Sequence, residues 1–419
     1  MKAEGRNIGD LTEARVEQRG PSGRGEFTYV DISSIDRETK RIIDPKVLPA
    51  AKAPSRAKQV LKTGDVLVSM TRPNLNAVAI VPPDLDGSIG STGFHVLRGK
   101  AAEADFLFYA VQTPDFIDAM CQKVQGALYP AVRPRDISSF CLPPFSLAAQ
   151  RAAVAEIEKQ FTRLEAGVAA LRRVQANLKR YRAAVLKAAC EGQLVPGEVP
   201  AARWKDLRLA DVCESITDGD HQPPPKRPQG IPLLTIGNIS SGRLDFSDTR
   251  FVPEEYYRQI KPNRVPQPNE VLYSVVGATI GIPVLVNTDR LFCFSRHIAL
   301  LKPSLKILPR FLLLLMASPQ TFREAWKRTT GSAQPTLALK PLRELPIKLP
   351  PLAEQTRIVA EVERRLSVVE ELESVVSASL QRATRLRQSI LQQAFSGKLK
   401  TEVDAPSCVP TSGTVVSPL

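Results

Sequence analysis

Histidine is scarce in this chain of 419 residues: only His95, His221 and His297 occur, far apart from one another. Such a set supports neither a zinc-hydrolase centre nor a nucleophile triad. The six cysteines, at 121, 141, 190, 213, 293 and 408, form no CxxC pair and follow no even spacing. That excludes a disulfide framework and a zinc site, and fits a reducing cytoplasm. Long apolar runs are missing too. The longest, Phe311–Ala317, falls far short of the ~20 residues a membrane span needs, and reads as a buried helical turn. The opening MKAEGRNIGD has no apolar core of a secretion signal, so a soluble, cytoplasmic protein without membrane contact is expected. No GxGxxG follows a strand and no GxxxxGK[ST] occurs, so neither a nucleotide nor any other cofactor is expected.

What the chain has in excess is positive charge. Lys and Arg number 57 against 43 Asp and Glu, a net +14. This favours a polyanion, nucleic acid first, because each neutralised phosphate releases counterions. With 43% hydrophobic residues the chain is globular, and its length suits two domains of about 150 residues plus connecting elements.

Self-comparison gives the organisation. Residues 64–69 (GDVLVS) align with 269–274 (NEVLYS), and Phe106-Leu107, Pro114, Gly126 and Pro130 align with Phe311-Leu312, Pro319, Gly331 and Pro335. Further on, Val154-Ala155-Glu156 aligns with Val359-Ala360-Glu361, and Arg182, Leu186, Ala189, Gly192 and Leu194 with Arg387, Leu391, Ala394, Gly397 and Leu399. All are 205 residues apart, as expected of a tandem duplication. Each copy opens with short β-branched runs (28–32, 66–70, 77–81; 233–236, 271–276, 283–286) broken by Gly, Pro, Asn and Asp, the pattern of a mixed α/β domain. A Pro-Pro step (143–144; 350–351) then introduces a long helix, from about 147 to 190 and from about 353 to 395. Apolar residues in the first helix recur at alternating spacings of three and four: Val154, Ile157, Phe161, Leu164, Val168, Leu171 and Leu178, with Gln175 as the polar member. In the second, Val359, Val362, Leu366, Val369, Val376, Leu380 and Ala383 keep the same register, with Glu373 as the polar member. These are coiled-coil seams, and helices of matching register in one chain should pair. Each would be roughly 60 Å long, more than a domain of this size spans. Gly192 and Gly397 stop the helices, residues 195–200 form a linker, and the Pro/Ser/Thr/Val-rich residues from 401 read as a disordered tail. The expected division is therefore domains at 1–145 and 196–350, long helices at 146–195 and 351–400, and the tail at 401–419.

Catalytic motifs fare poorly. Leu142-Pro143-Pro144-Phe145 has the Pro-Pro-aromatic half of an amino-methyltransferase motif, but leucine cannot accept the protons of a base's amino group, and the second copy (349–352, LPPL) lacks the aromatic. Asp31, Asp36, Glu38 and Lys40 have the residue types of a metal-dependent nuclease at too short a spacing, and the second copy has no equivalent.

Residues 349–361 (LPPLAEQTRIVAE), the helix that follows and 389–399 (SILQQAFSGKL) resemble the C-terminal conserved region of type I restriction-modification specificity subunits. The central copy, 142–194, matches less well and has two extra residues after its Pro-Pro step. Residues 218–221 (DGDH), 230–234 (GIPLL), 238–242 (NISSG) and 295–300 (SRHIAL) resemble the family's target-recognition domain. The first domain departs at its start, where nothing matches Trp204-Lys205-Asp206-Leu207, so its first strand is expected to be shortened or to begin differently. The resemblance implies two tandem α/β target-recognition domains, and their long helices, matched in register, are expected to pair as an antiparallel coiled coil, the arrangement that brings both domains onto one face of the DNA. Each domain would read half of a split sequence in double-stranded DNA, and the helices would set the gap. It also implies docking of two methyltransferase subunits, which recruit translocase-nuclease subunits; the chain itself would make no bonds. A stand-alone DNA-binding regulator and a metal nuclease using Glu38 and Lys40 stay open as alternatives.

Arginine can read guanine and asparagine adenine, whereas lysine chiefly meets phosphate. On that chemistry the DNA-contacting candidates in the first domain are Arg72, Asn74, Asn76, Lys123, Tyr129, Arg133 and Arg135. In the second they are His221, Lys226, Arg227, Asn238, Arg243, Arg296, His297, Lys327, Arg328, Thr329 and Gln334. The stretch 327–334 (KRTTGSAQ) is preferred, because basic residues beside glycine and short polar side chains let backbone approach a groove. Arg133 and Arg135 are assigned the same place in the first copy. The first helix carries nine Lys or Arg against three Glu and the second six against six, which puts the first nearer DNA or an acidic partner.

Overall fold

The computed structural model describes residues 5–125, 130–196, 200–222, 224–225 and 227–396. The readings at Gly126, Tyr129, Lys226 and Gly397, much of the linker and the tail lie outside these residues. The chain divides into two compact units, residues 1–171 with 378–419 and residues 172–377.

In the first unit a mixed four-stranded sheet runs in the order Lys46–Pro49, Glu26–Val30, Ile89–Ser91, Ala57–Val60. An antiparallel three-stranded sheet runs Phe94–Leu97, Val66–Ser69, Val78–Ile80. In the second unit the antiparallel sheet has four strands, Cys213–Asp218, Ile298–Pro303, Val271–Ser274 and Pro283–Leu285. Beside it stands a three-stranded sheet of Arg250–Val252, Ile231–Leu234 and Cys293–Phe294.

The duplication is visible element by element. Strands Val66–Ser69 and Val78–Ile80 recur as Val271–Ser274 and Pro283–Leu285, and helices Pro114–Gln122 and Pro134–Ser138 as Pro319–Lys327 and Leu339–Arg343. The long helices, Leu147–Cys190 and Leu352–Phe395, obey the same 205-residue offset. Phe311–Ala317 lies in the helix Pro309–Ala317, which buries Phe311, Leu312, Leu314, Leu315 and Met316. The opening strand is indeed shorter in the first unit: Arg6–Asn7 pairs with Cys141–Leu142, where Lys205–Arg208 pairs with Pro346–Leu349.

Local chemistry fixes the helix ends. The two extra residues after Pro144 are Phe145 and Ser146. The Ser146 hydroxyl accepts the Ala149 amide at 3.2 Å as an N-cap, and the Phe145 ring packs 5.2 Å from Phe106. Gly192, at φ +69°, ends the first long helix, and the Gln193 amide reaches back to the Ala188 carbonyl at 2.8 Å. A Cβ on Gly192 would lie 2.5 Å from that of Ala201, so only glycine closes this turn.

Each unit combines the beginning of the long helix that follows its own domain with the end of the other, and these segments run antiparallel. In the first unit Arg387 pairs with Glu165 at 3.2 Å and stacks over Phe161. In the second, Arg182 lies 3.1 Å from Glu373 and 3.8 Å from Glu370. Arg182 and Arg387 correspond in the repeat, as do Glu165 and Glu370. The apolar seam read from the sequence faces inward: Ile157, Phe161, Leu178, Val359, Val362, Val369 and Val376 are buried, and the polar members Gln175 and Glu373 are half-buried.

One buried glutamine anchors each domain to its helix. Gln150 Oε1 accepts the Glu103 amide at 3.1 Å, and Gln355 Oε1 accepts the Leu308 amide at 2.8 Å while its Nε2 donates to the Lys306 and Pro350 carbonyls. Each domain also holds a largely buried ion pair, Arg98–Asp65 at 2.7 Å and Lys302–Glu270 at 2.6 Å.

His95, on the strand Phe94–Leu97, has Nε2 2.9 Å from Ser138 Oγ, and burial pushes its pKa down to about 4. An unfolded histidine titrates near 6.5, so as pH falls from about 6.5 to about 4 the unfolded chain takes the proton first and stability falls with it. This group's contribution is fully present above that window. At pH 5 the loss is about 2 kcal/mol relative to pH 7, and His95→Gln should lack it when urea unfolding is compared at the two pH values. Equal losses in both proteins would rule His95 out as the source.

Candidate nucleic-acid interface

Two hairpins, one per domain, gather a share of the candidates. In the second unit Thr330 and Thr336 bridge each other, Val276 bridges Thr336, and the Gly277 amide donates to the Pro335 carbonyl at 2.8 Å. In the first, Gln125 bridges Ala131, Thr71 bridges Ala131, and the Arg72 amide donates to the Pro130 carbonyl at 2.8 Å. The same hairpin is thus laced to the same interstrand turn in both copies. Arg72 and Asn74 are exposed on that turn in the first unit. Arg133 donates to the Gln125 side chain, Lys123 Nζ lies 3.3 Å from Ser139 Oγ, and Arg135 is exposed.

In the second unit His221, Arg296, His297 and Gln334 line one cavity of about 400 Å³ together with Asp218 and Leu337. Its walls come from distant stretches of chain. Asp218 holds His221 Nε2 at 2.9 Å and Arg264 at 3.2 Å, and Asp220 accepts from the Tyr256 hydroxyl, which holds its carboxyl below the usual range. The segment 218–220 is stitched to 295–297 by the Asp220–Ser295 bridge and by the Arg296 amide on the Asp220 carbonyl at 3.2 Å. Gly219 permits this approach, since a Cβ there would lie 2.0 Å from the Phe294 carbonyl oxygen. Burial, followed by the charges of Arg296 and His221, lowers the pKa of His297.

Other candidates are committed within the protein. Asn238 is buried: its Oδ1 accepts from Thr235, and its Nδ2 donates to the carbonyls of Asp245 and Asp248 at 3.0 and 3.1 Å. Its amide therefore builds a loop. Asn76 likewise donates to the Val111 carbonyl at 2.8 Å and accepts from Lys40 at 3.0 Å. Within the preferred stretch, Lys327 and Arg328 both bind Glu324, at 2.9 and 2.6 Å, and the Arg328 bond foremost brings the Glu324 pKa down to about 2. The Thr329 hydroxyl donates to the Trp326 carbonyl at 2.8 Å. Arg133 and Arg135 do not share the place of 327–334. They lie after the hairpin, as N-cap and second residue of the helix Pro134–Ser138, because the 205-residue offset puts 122–129 opposite 327–334. Arg227 and Arg243 are exposed and line no part of the His221 cavity. Asp31 caps a turn at Ser33 and Ser34 and pairs with Lys46, and Asp36 accepts from Thr39 and the Glu38 amide. These carboxylates organise local structure.

Residues 202–373 match the type I restriction modification DNA specificity domain. The crystal structure of the HsdS subunit from Thermoanaerobacter tengcongensis is 30% identical, covering 94% of this chain and 96% of that one with a TM-score of 0.54. The chain belongs to the type I restriction-modification specificity subunits. A chain in a structure concerning complex assembly and conformational transition of the type I R-M system is 29% identical with a TM-score of 0.76, covering 95% and 99% of the two chains. The EcoBI specificity subunit of Escherichia coli is 28% identical over 316 residues, 71% of this chain and 66% of that one, so this chain spans slightly less than two thirds of that relative's length.

DNA sequence recognition is what specificity subunits are named for, and two features of this one lie outside the candidates that the sequence offers. Phe322 and Trp326 stack at 6.0 Å on the exposed face of the helix Pro319–Lys327. Their four-residue spacing on an otherwise polar helix was the available signal. Arg264, which helps Asp218 hold the DGDH segment, had no signal: the two residues meet only through the tertiary fold.

Proposed function

We propose that this specificity subunit reads a bipartite DNA target with a gap of fixed length and docks two methyltransferase subunits, through which translocase-nuclease subunits join. The observation that carries this reading is the element-by-element repeat, in which each domain presents the same hairpin and turn and leads into the same long helix. Two copies of one reader suit two half-sites. The contacts would come from Arg72, Asn74, Lys123, Arg133 and Arg135 in the first domain and from His221, Arg296, His297 and Gln334 in the second. Arg227, Arg243, Lys327, Arg328 and Thr329 would serve phosphate at the margins, since such contacts position a protein without reading sequence. The long helices expose Val368, Leu372, Val375 and Leu386, apolar side chains suited to covering by a partner. The subunit is non-catalytic in this reading and acts in the cytoplasm, with methyl transfer and cleavage left to its partners.

Co-expression with a cognate type I methyltransferase subunit tests it. The expected product is a complex of one specificity and two methyltransferase chains, together with a two-part methylated motif in long-read maps that vanishes when the specificity gene is deleted. A purified monomer that binds its target with full specificity unaided would favour a stand-alone regulator.

A further inference from the structure

The turn between strands Val66–Ser69 and Val78–Ile80 contains two non-glycine residues in the left-handed region, Arg72 at φ +49° and Asn76 at φ +43°. In the second domain the corresponding turn, between Val271–Ser274 and Pro283–Leu285, has Gly277 at φ +77° and Gly281 at φ +95°. The backbone path is shared, and glycine is the residue that adopts it without steric penalty. Asn76 has an evident reason to replace glycine, since its side chain bonds Val111 and Lys40. Asparagine also tolerates this conformation better than most residues.

Arg72 has no such reason inside the protein. Its side chain is exposed, and no hydrogen bond or ion pair of its guanidinium is found among the described residues. The one bond at this position is the backbone amide on Pro130, which Gly277 duplicates on Pro335 at the same 2.8 Å. The fold therefore uses the backbone here and makes no use of the side chain. A Cβ built on Gly277 meets nothing within 4 Å, so the equivalent position of the second domain also opens to solvent.

We propose that Arg72 reads a guanine in the major groove of the half-site bound by the first domain, and that Gly277 is the same reader position left without a side chain in the second. The assignment rests on the specificity-subunit reading above. A phosphate contact would not explain the residue's location, because a lysine or arginine on any unstrained surface position can neutralise a phosphate. Bidentate recognition of guanine O6 and N7 needs the planar guanidinium fork at one fixed point and direction. A residue retained in a disfavoured conformation, on a turn pinned to the neighbouring hairpin, supplies that fixed point.

The test uses the full chain co-expressed with its methyltransferase partners, as wild type, R72G and R72K, read by long-read methylation mapping and by thermal unfolding of the purified complexes. R72G is expected to keep or raise the unfolding temperature and leave the second half-site unchanged. It should lose discrimination at one guanine of the first half-site by about tenfold or more. R72K should lose it too, since an ammonium lacks the fork. If R72G weakens methylation evenly across sequences with the motif unchanged and R72K restores it, Arg72 contacts phosphate and the assignment is overturned. A marked fall in unfolding temperature for R72G would overturn it as well, by giving the side chain a structural role. If wild type directs no two-part methylation, the specificity reading itself fails and this assignment falls with it.

Discussion

Exchanging residues 210–335 for the corresponding segment of a relative with a different target is expected to change one half of the methylated sequence and leave the other half as it was. The segment carries the second domain's four- and three-stranded sheets, the Asp218–His221 segment and Gln334, and none of Arg72, Lys123 or Arg133. Each mismatched base pair costs ~1–3 kcal/mol, so changing about three base pairs of a half-site should depress use of the original site by at least about a hundredfold. Methylation maps of a host carrying the hybrid report both halves at once. Simultaneous change of both halves would mean that the domains do not read independently.

Phe395→Ala should destabilise the first unit by about 3–5 kcal/mol, the usual range for removing a buried phenyl ring. The ring is 7% exposed and lies 5.0 Å from that of Phe106 and 6.2 Å from that of Phe145. Its counterpart in the repeat is Cys190, whose thiol pKa is pushed up to about 12, by burial above all. Different side chains thus fill the same helix end in the two units. Urea unfolding should show the loss in the first unit's transition, and Phe395→Leu should keep most of the stability by filling most of the space. A loss below about 1 kcal/mol for the alanine variant would show that the cluster closes without the ring.

The fold was legible in the sequence and the site only partly, for physical reasons. The duplication showed because residues required by backbone and packing, such as Gly192, Pro114 and the helix seam, recur at one offset and act locally. Helix pairing followed from period alone. A side chain's commitment depends on what arrives from elsewhere. Asn238 is taken up by the carbonyls of Asp245 and Asp248, and nothing in the residues alone tells a loop-building asparagine from a base-reading one. The His221 cavity joins segments near 218, 296 and 334, far beyond the reach of local pattern. The capture of Lys327 and Arg328 by Glu324 was a different matter: the spacings of three and four residues on a helix already contained it.

The discontinuity of the first unit bears on how the protein is made. Its core includes Ile390, Leu391, Ala394 and Phe395 beside Phe106, Leu107 and Tyr109, so the domain first to leave the ribosome waits for almost the last described residues of the chain. At ~5–20 residues per second, the roughly 200 intervening residues impose a delay on the order of 10–40 s. Throughout it the part of the first unit's core that Ile390, Leu391, Ala394 and Phe395 complete has no cover from its own chain. The second unit is continuous from 172 to 377 and can complete itself within that interval. The order of completion is therefore the reverse of the order of synthesis, and the nascent first domain is the part of this protein most exposed to chaperones and proteases.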